Sequence, residues 1–217
     1  EIGFPFSDPI ADGPVVAAAM HEALQHGATP QGVLKEVAAA RSSIDMCLMS
    51  MVSVSIVERL GGPASFVERA ANAGFDGFIF PDIAVEEAEP YVNACASAGV
   101  GCSLLVAPST PIDRLRTIAD NASGFVYLLA RAGITGERRD APDISDRVQA
   151  LRDVTDLPVA VGFGISSAEH VRAVVEHADA AIVGSALVRR MSEHADNAAA
   201  EARRFVSELL PGCERGG

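Results

Sequence analysis

Short apolar runs rich in β-formers alternate with helical runs almost to the end of this chain, and no other feature limits the fold so strongly. Asp45 to Met51, Phe75 to Phe80, Gly101 to Ala107, Gly124 to Leu129, Pro158 to Phe163 and Ala180 to Gly184 read as strands. Each is brief and nearly continuous in apolar character, the pattern of strands covered on both faces. The helices between them carry visible start signals. Pro14 opens one that Gly27 closes, and Thr29-Pro30 sets an N-cap before a proline at the first helical position. Thr110-Pro111 repeats that device, Ser166 or Ser167 caps a helix running to about Glu176, and Asp196 to Leu210 reads as the last helix. Strict alternation implies parallel strands joined by right-handed crossovers. With a stub at Ile2 the runs make seven βα units, which fits either a doubly wound open sheet or a (βα)8 barrel. The barrel is favoured if roughly one unit is missing at the front, as the abrupt start suggests. No linker, low-complexity tract or charge block marks a second domain. Residues 1–217 are therefore expected to form a single barrel-type domain, incomplete at its N-terminal end.

Composition narrows the function classes. About half of the 217 residues are hydrophobic, enough for one sizeable core, and Trp is absent. A formal net charge of −12 argues against a nucleic-acid partner, because phosphate backbones require clustered Lys and Arg. Cys47, Cys95, Cys102 and Cys213 form no C-x-x-C pair and have no His at metal-ligand spacing, so no metal site is expected. Two of them sit in apolar strand-like runs, which suggests buried free thiols in a reducing cytoplasm. The most apolar run, Met46 to Val57, is too short to span a bilayer and carries several serines, so no membrane association is expected.

In barrels, reactive groups sit on loops after the carboxyl ends of strands. The opening string EIGFPFSDPIADGP places two acids, Glu1 and Asp12, in such a loop, on either side of a proline-rich turn that leads into a helix. Paired carboxylates suit proton transfer to and from a small substrate, although an Asp in such a turn often serves the turn alone. The long segment LLARAGITGERRDAPD follows the Gly124 to Leu129 strand, and its Gly133 and Gly136 suggest a lid. Arg131 there is a candidate ion-pair partner, while Arg138 and Arg139 read as surface charge. The next strand ends in GFGISS and the last in VGSALV, each leading into a helix. Gly162, Gly164, Gly184 and Ser185 thus place close-approaching backbone amides at helix starts, the usual phosphate-binding device of barrels. Tyr127 lies in a strand and reads, on pattern alone, as a core aromatic. His170 and His177 are too far apart for a joint metal site and read as solvated helix residues.

The opening string closely resembles the signature E-[LI]-G-x-P-[FY]-S-D-P-x-A-D-G-P of the tryptophan synthase alpha chain family. The resemblance continues through AGFDGFIFPDIAVEEA, APSTP, GFVYLLARAGITG, VGFGISS and VGSALV, almost to the end of the chain. It implies a (βα)8 TIM barrel that lacks the family's first strand, first helix and most of the second strand. It implies a lyase that cleaves indole-3-glycerol phosphate to indole and glyceraldehyde 3-phosphate in tryptophan biosynthesis. Carried over by motif position, Glu1, Asp12 and Tyr127 are the expected catalytic residues. Gly136, Gly162, Gly164, Gly184 and Ser185 are the expected phosphate-binding residues, and Arg131 and Thr135 belong to the lid, with Thr135 closing onto Asp12. The resemblance further implies no cofactor in this chain and a beta chain as partner in an alpha2-beta2 tetramer, where pyridoxal phosphate serves the beta chain.

One departure bears on that partner. After the strand ending in LMSM the family carries Tyr and then Asn-Pro, whereas this chain has Met51-Val52-Ser53-Val54. Val52, Val54 and Ile56 are expected to form an exposed apolar patch there. A free-standing indole-releasing lyase and a non-catalytic regulatory subunit are the alternatives. The paired acids speak against the second, and the opening string speaks against a sugar-phosphate isomerase or epimerase.

Overall fold

The computed structural model describes residues 1–9, 12–130, 144–162 and 164–214. The elements follow the expected alternation. The chain opens with β1 (Ile2–Gly3), α1 (Pro14–Gln25), α2 (Pro30–Ala40), β2 (Met49–Met51), α3 (Val54–Arg59), α4 (Gly62–Ala73), β3 (Gly77–Ile79), α5 (Glu89–Ala98) and β4 (Gly101–Ser103). It continues through β5 (Leu105–Val106), α6 (Ile112–Asn121), β6 (Val126–Leu129), α7 (Ser145–Arg152), β7 (Val159–Gly162), α8 (Ala168–Val175), β8 (Ala180–Ile182), α9 (Ser185–Glu193) and α10 (Ala198–Leu209), and closes with a 3-10 turn at Leu210–Cys213. The strands are shorter than the apolar runs that announce them, and Leu104 divides the Gly101 to Ala107 run into two strands.

Two parallel sheets result, with orders β1-β2-β3-β4 and β5-β6-β7-β8. The chain divides into two compact units. One comprises Glu1–Ile10, Met20–Leu105 and Thr117–Val126, the other Ala11–Ala19, Val106–Arg116 and Tyr127–Gly217.

In the first unit the register aligns Ile2 with Ser50, Ser50 with Phe78, and Phe78 with Cys102. Side chains alternate along a strand, so this row shares one face. That face meets helices: the Phe78 ring lies 6.2 Å from Phe66 of α4, edge to face. Phe66 in turn meets Phe4 at 5.5 Å, and Phe80 meets Tyr91 of α5 at 4.8 Å. Few as they are, the aromatics concentrate here. Cys95 of α5 and Cys102 of β4 are both buried thiols that hydrogen-bond each other, and that bond pushes the Cys95 thiol upward in pKa. Cys47, by contrast, is exposed, because β2 starts only at Met49 and its ladder does not reach back that far.

The amino ends of the strands are tied by acid–arginine latches. Asp76 accepts from Leu48 N–H at 2.8 Å and pairs with Arg41 at 3.0 Å. The second unit repeats the arrangement. Asp179 accepts from Val159 N–H at 2.8 Å and pairs with Arg152 at 3.1 Å. Thr29 caps α2 as expected, its hydroxyl accepting from Gly32 N–H at 3.1 Å. Thr110 does not act the same way. Its hydroxyl accepts from Ala107 N–H at 3.0 Å and the helix starts only at Ile112, so the threonine closes the preceding turn instead. Among the described residues no helix is long and apolar enough to cross a membrane.

Phe66 is fully buried and links Phe4 to Phe78, so it joins the stub strand to the centre of the sheet. Phe66→Ala should lower unfolding free energy by about 3–5 kcal/mol, read from the midpoint of urea denaturation. A loss below about 1 kcal/mol would show that the ring cluster does not hold β1 in place.

Candidate active site

Glu1 lies just ahead of the paired residues of β1, not in a loop after the strand. The reason is that the ladder with β2 runs on through Gly3, and Phe4 N–H still donates to Met51 O at 2.9 Å. Alternation carried back from Gly3 puts Glu1 on the side of Met51, Ile79 and Ser103, opposite the face packed on α4 and α5. Its backbone is anchored by the buried Phe4 ring a few residues on, while the Glu1 residue itself is exposed.

Asp12 belongs to the second unit and sits two residues before α1. It is half-buried, and burial raises the pKa of its carboxyl above the ordinary aspartate value. Desolvation penalises the charged form, which makes this carboxylate a stronger proton acceptor once ionised.

The glycine turns are set by strand register. β7 and β8 pair with Gly162 opposite Ile182. Gly164 and Gly184 each lie two residues beyond those partners, so both turns leave the same end of the sheet at the same offset. The three glycines serve different physical needs. Gly162 makes room for Tyr127: a Cβ there would fall 2.8 Å from Tyr127 Cζ and against its hydroxyl oxygen. Gly164 has φ +79°, a left-handed backbone that favours glycine. At Gly184 an added Cβ would meet no atom of the described residues within 4 Å, and Gly184 has no side chain to cap the first turn of α9. The first turn of α9 thus starts without a side-chain cap.

Tyr127 is buried in β6, as its strand position implies, with its ring over Gly162. Ser167, rather than Ser166, caps α8, its hydroxyl accepting from His170 N–H at 3.2 Å. His170 is not solvated, being only 4% exposed. Its Nδ1 accepts from Ser166 N–H at 3.3 Å, so the ring braces the glycine turn from below. Spacing alone hid this, because a histidine in the first turn of a helix points back over its own cap only once the turn has formed. His177 lies past the end of α8 and is exposed. Arg131, Thr135 and Gly136, the lid segment with Gly133, Arg138 and Arg139, and Phe163 of the GFG run lie outside the described residues.

The loop after β2 corrects another expectation. Val52 is 1% exposed and Ile56 9%, so the proposed apolar surface patch does not exist. Ser53 donates to Asp82 at 2.6 Å, and Asp82 also accepts from Val54 N–H at 3.0 Å. That pair of hydrogen bonds starts α3 immediately after the strand, where the Val52 and Ile56 side chains are buried. Among the described residues no group of three or more His, Cys, Asp or Glu could hold a metal ion.

Parallel βα units with acids and paired glycine turns beside their strands define an α/β protein of the TIM-barrel class. The chain belongs to the tryptophan synthase alpha chain family, whose model matches residues 1–211. It is 43% identical over 212 residues to the tryptophan synthase alpha chain of Synechococcus sp. (strain CC9902), covering 96% of this chain and 78% of that one. Among solved structures, Mycobacterium tuberculosis tryptophan synthase superposes with a TM-score of 0.90 at 33% identity, over 100% of this chain and 81% of that chain. The tryptophan synthase a2b2 complex from Pyrococcus furiosus gives 0.85 at 32% identity, over 96% and 83%.

The raised Asp12 pKa has a consequence for stability. A carboxyl raised on folding stabilises the fold fully below its unfolded pKa and loses that contribution as pH rises through the folded value. Asp12→Asn should therefore raise the thermal midpoint at neutral pH and leave it unchanged once the acid is protonated. Thermal scans of both proteins from acid to neutral pH check this, and an Asp12→Asn midpoint lower than wild type at neutral pH would contradict it.

Proposed function

We propose that this chain is an indole-3-glycerol-phosphate lyase acting as the alpha chain of tryptophan synthase. The single observation that carries the reading is the family match over residues 1–211, with the motif acids intact at Glu1 and Asp12. Retro-aldol cleavage needs the indole ring converted to its indolenine tautomer first. In this reading Glu1 protonates ring carbon C3, and Asp12 accepts the proton leaving the ring nitrogen. Glu1, now a carboxylate, takes the proton of the glycerol hydroxyl on the carbon bonded to C3. The carbon–carbon bond then breaks, its electron pair restores the ring double bond, and Asp12 returns the proton to nitrogen. The products are indole and glyceraldehyde 3-phosphate. The raised basicity of Asp12 suits the acceptor role.

Tyr127 bounds the site beside Gly162, and Gly162, Gly164, Gly184 and Ser185 receive the phosphate through backbone amides and a hydroxyl. A net charge of −12 does not prevent this, because amides at helix starts supply local positive potential. Arg131, Thr135 and Gly136 complete the proposal as lid and phosphate residues by family position. Two carboxylates suffice for the proton transfers, so this reading assigns no cofactor to the chain and leaves pyridoxal phosphate to a beta chain. The Pyrococcus furiosus relative forms an a2b2 complex, which supports such a partner for this chain. The free thiols suit the cytoplasm.

Glu1→Gln and Asp12→Asn, introduced in the full chain, should each lower kcat by about 10²–10⁴-fold with substrate binding largely kept. Steady-state assays with indole-3-glycerol phosphate provide the measurement, and activity within a fewfold of wild type would remove that residue from the mechanism.

Gly184→Val tests the phosphate turn, since among the described residues no atom lies within 4 Å of a Cβ placed there. KM for indole-3-glycerol phosphate should rise by about tenfold or more while the affinity for indole, which lacks a phosphate, stays unchanged. Equal weakening of both ligands would indicate a distorted fold instead.

A further inference from the structure

The two glycine turns are followed by separate helices, α8 and α9, and the C-terminal end of the chain grips both. On α10, Glu201, Phe205 and Glu208 fall on one stripe that faces α9. Arg190 of α9 reaches into that stripe. It pairs with Glu208 at 2.6 Å and with Glu201 at 3.8 Å, and its guanidinium lies 5.4 Å from the Phe205 ring centroid. Glu201 is only 4% exposed and pairs also with Arg204 at 3.1 Å. A few residues later the closing 3-10 turn meets α8. Gly212 packs so tightly that a Cβ would strike the Ala168 carbonyl oxygen and fall 2.8 Å from Val171 Cβ. Arg172 of α8 donates to Pro211 O at 2.9 Å.

A buried carboxylate is a weak way to stabilise a helix pair, because desolvation consumes most of the attraction and an apolar pair of similar volume does as well. A planar guanidinium hydrogen-bonded to one carboxylate, 3.8 Å from a second and set over an aromatic face does something apolar packing does not: it fixes rotation and register. The glycine contact on α8 is equally exact, since Gly212 has no room for a Cβ against the α8 backbone.

We infer that α10 and the Leu210–Cys213 turn form a brace that sets the spacing of the two phosphate-holding turns, with Glu201, Arg190 and Gly212 as positioning residues. This rests on the functional reading above. The turn at Gly164 opens onto α8 and the turn at Gly184 onto α9, so a small slide of either helix moves one set of amides relative to the other. A phosphate held by both then loses contacts on one side.

Glu201→Gln and Gly212→Ala, made separately in the full chain, act on different helices. Each should raise KM for indole-3-glycerol phosphate by about fivefold or more with kcat within about twofold of wild type. The inhibition constants of inorganic phosphate and of glycerol 3-phosphate should rise in parallel, and indole affinity should not change. Glu201→Asp keeps the charge and should recover most of the phosphate affinity. Should Glu201→Gln fail to fold, Gly212→Ala and Arg172→Met carry the same comparison. A lower thermal midpoint with unchanged phosphate affinity, or equal loss for phosphate and indole ligands, overturns the brace. A wild-type chain that binds neither phosphate nor indole-3-glycerol phosphate overturns the functional reading, and the brace with it.

Discussion

The contact between Val159 and Asp179 governs the part of the molecule where the chemistry is proposed. Asp179 accepts from Val159 N–H through its carboxylate and donates its own N–H to Val159 O, at 2.8 and 3.0 Å. One residue thus ties β7 to the start of β8 from both side chain and backbone. Because parallel strands have a single register, fixing their amino ends also fixes which residues leave together at the carboxyl ends. Gly164 and Gly184 exit at equal offsets for this reason. The pairing with Arg152 is partly exposed, and its Coulombic contribution is correspondingly small. Its value lies in holding the carboxylate where the strand N–H needs it.

The same latch occurs in the first unit, where Asp76 serves Leu48 N–H and Arg41. There it fixes β2 against β3, and β2 in turn aligns β1 and the residue ahead of it, Glu1. Structure-holding groups gather at the amino ends of the strands and the glycine turns leave the carboxyl ends of β7 and β8, a division of labour typical of this fold class, whereas Glu1 sits at the amino end of β1. The acid that lacks such support, Asp12, is held by the entry to α1 and partly withdrawn from water, and that withdrawal is what tunes it.

Glycine illustrates how one residue type answers several constraints within a short span. At Gly162 the need is space for Tyr127, at Gly164 a left-handed turn, and at Gly184 an open approach to the start of α9. Read as a motif, GFG followed by VGS suggests one purpose. The distances separate a packing glycine from a conformational one and from one whose added Cβ would meet no described atom.

The sequence by itself determined the alternation of the elements, the parallel topology, the cap at Thr29 and the family, and it narrowed the cap of α8 to Ser166 or Ser167. Each rests on local chemistry: apolar periodicity, hydroxyls that satisfy free amides, and side-chain types at fixed spacing. What it misread were matters of which way a side chain faces. His170 is buried beneath the Ser166 turn, Val52 and Ile56 point inward because Asp82 starts α3 early, and Cys47 is left outside a ladder that begins at Met49. The division of labour among the glycines and the brace from α10 to α8 and α9 were also decided by tertiary structure alone. These features depend on how one element is placed against another, whether the partner is near in the chain, as for His170 and Ser166, or distant, as for Val54 and Asp82, and no local pattern encodes the direction from which such a partner arrives.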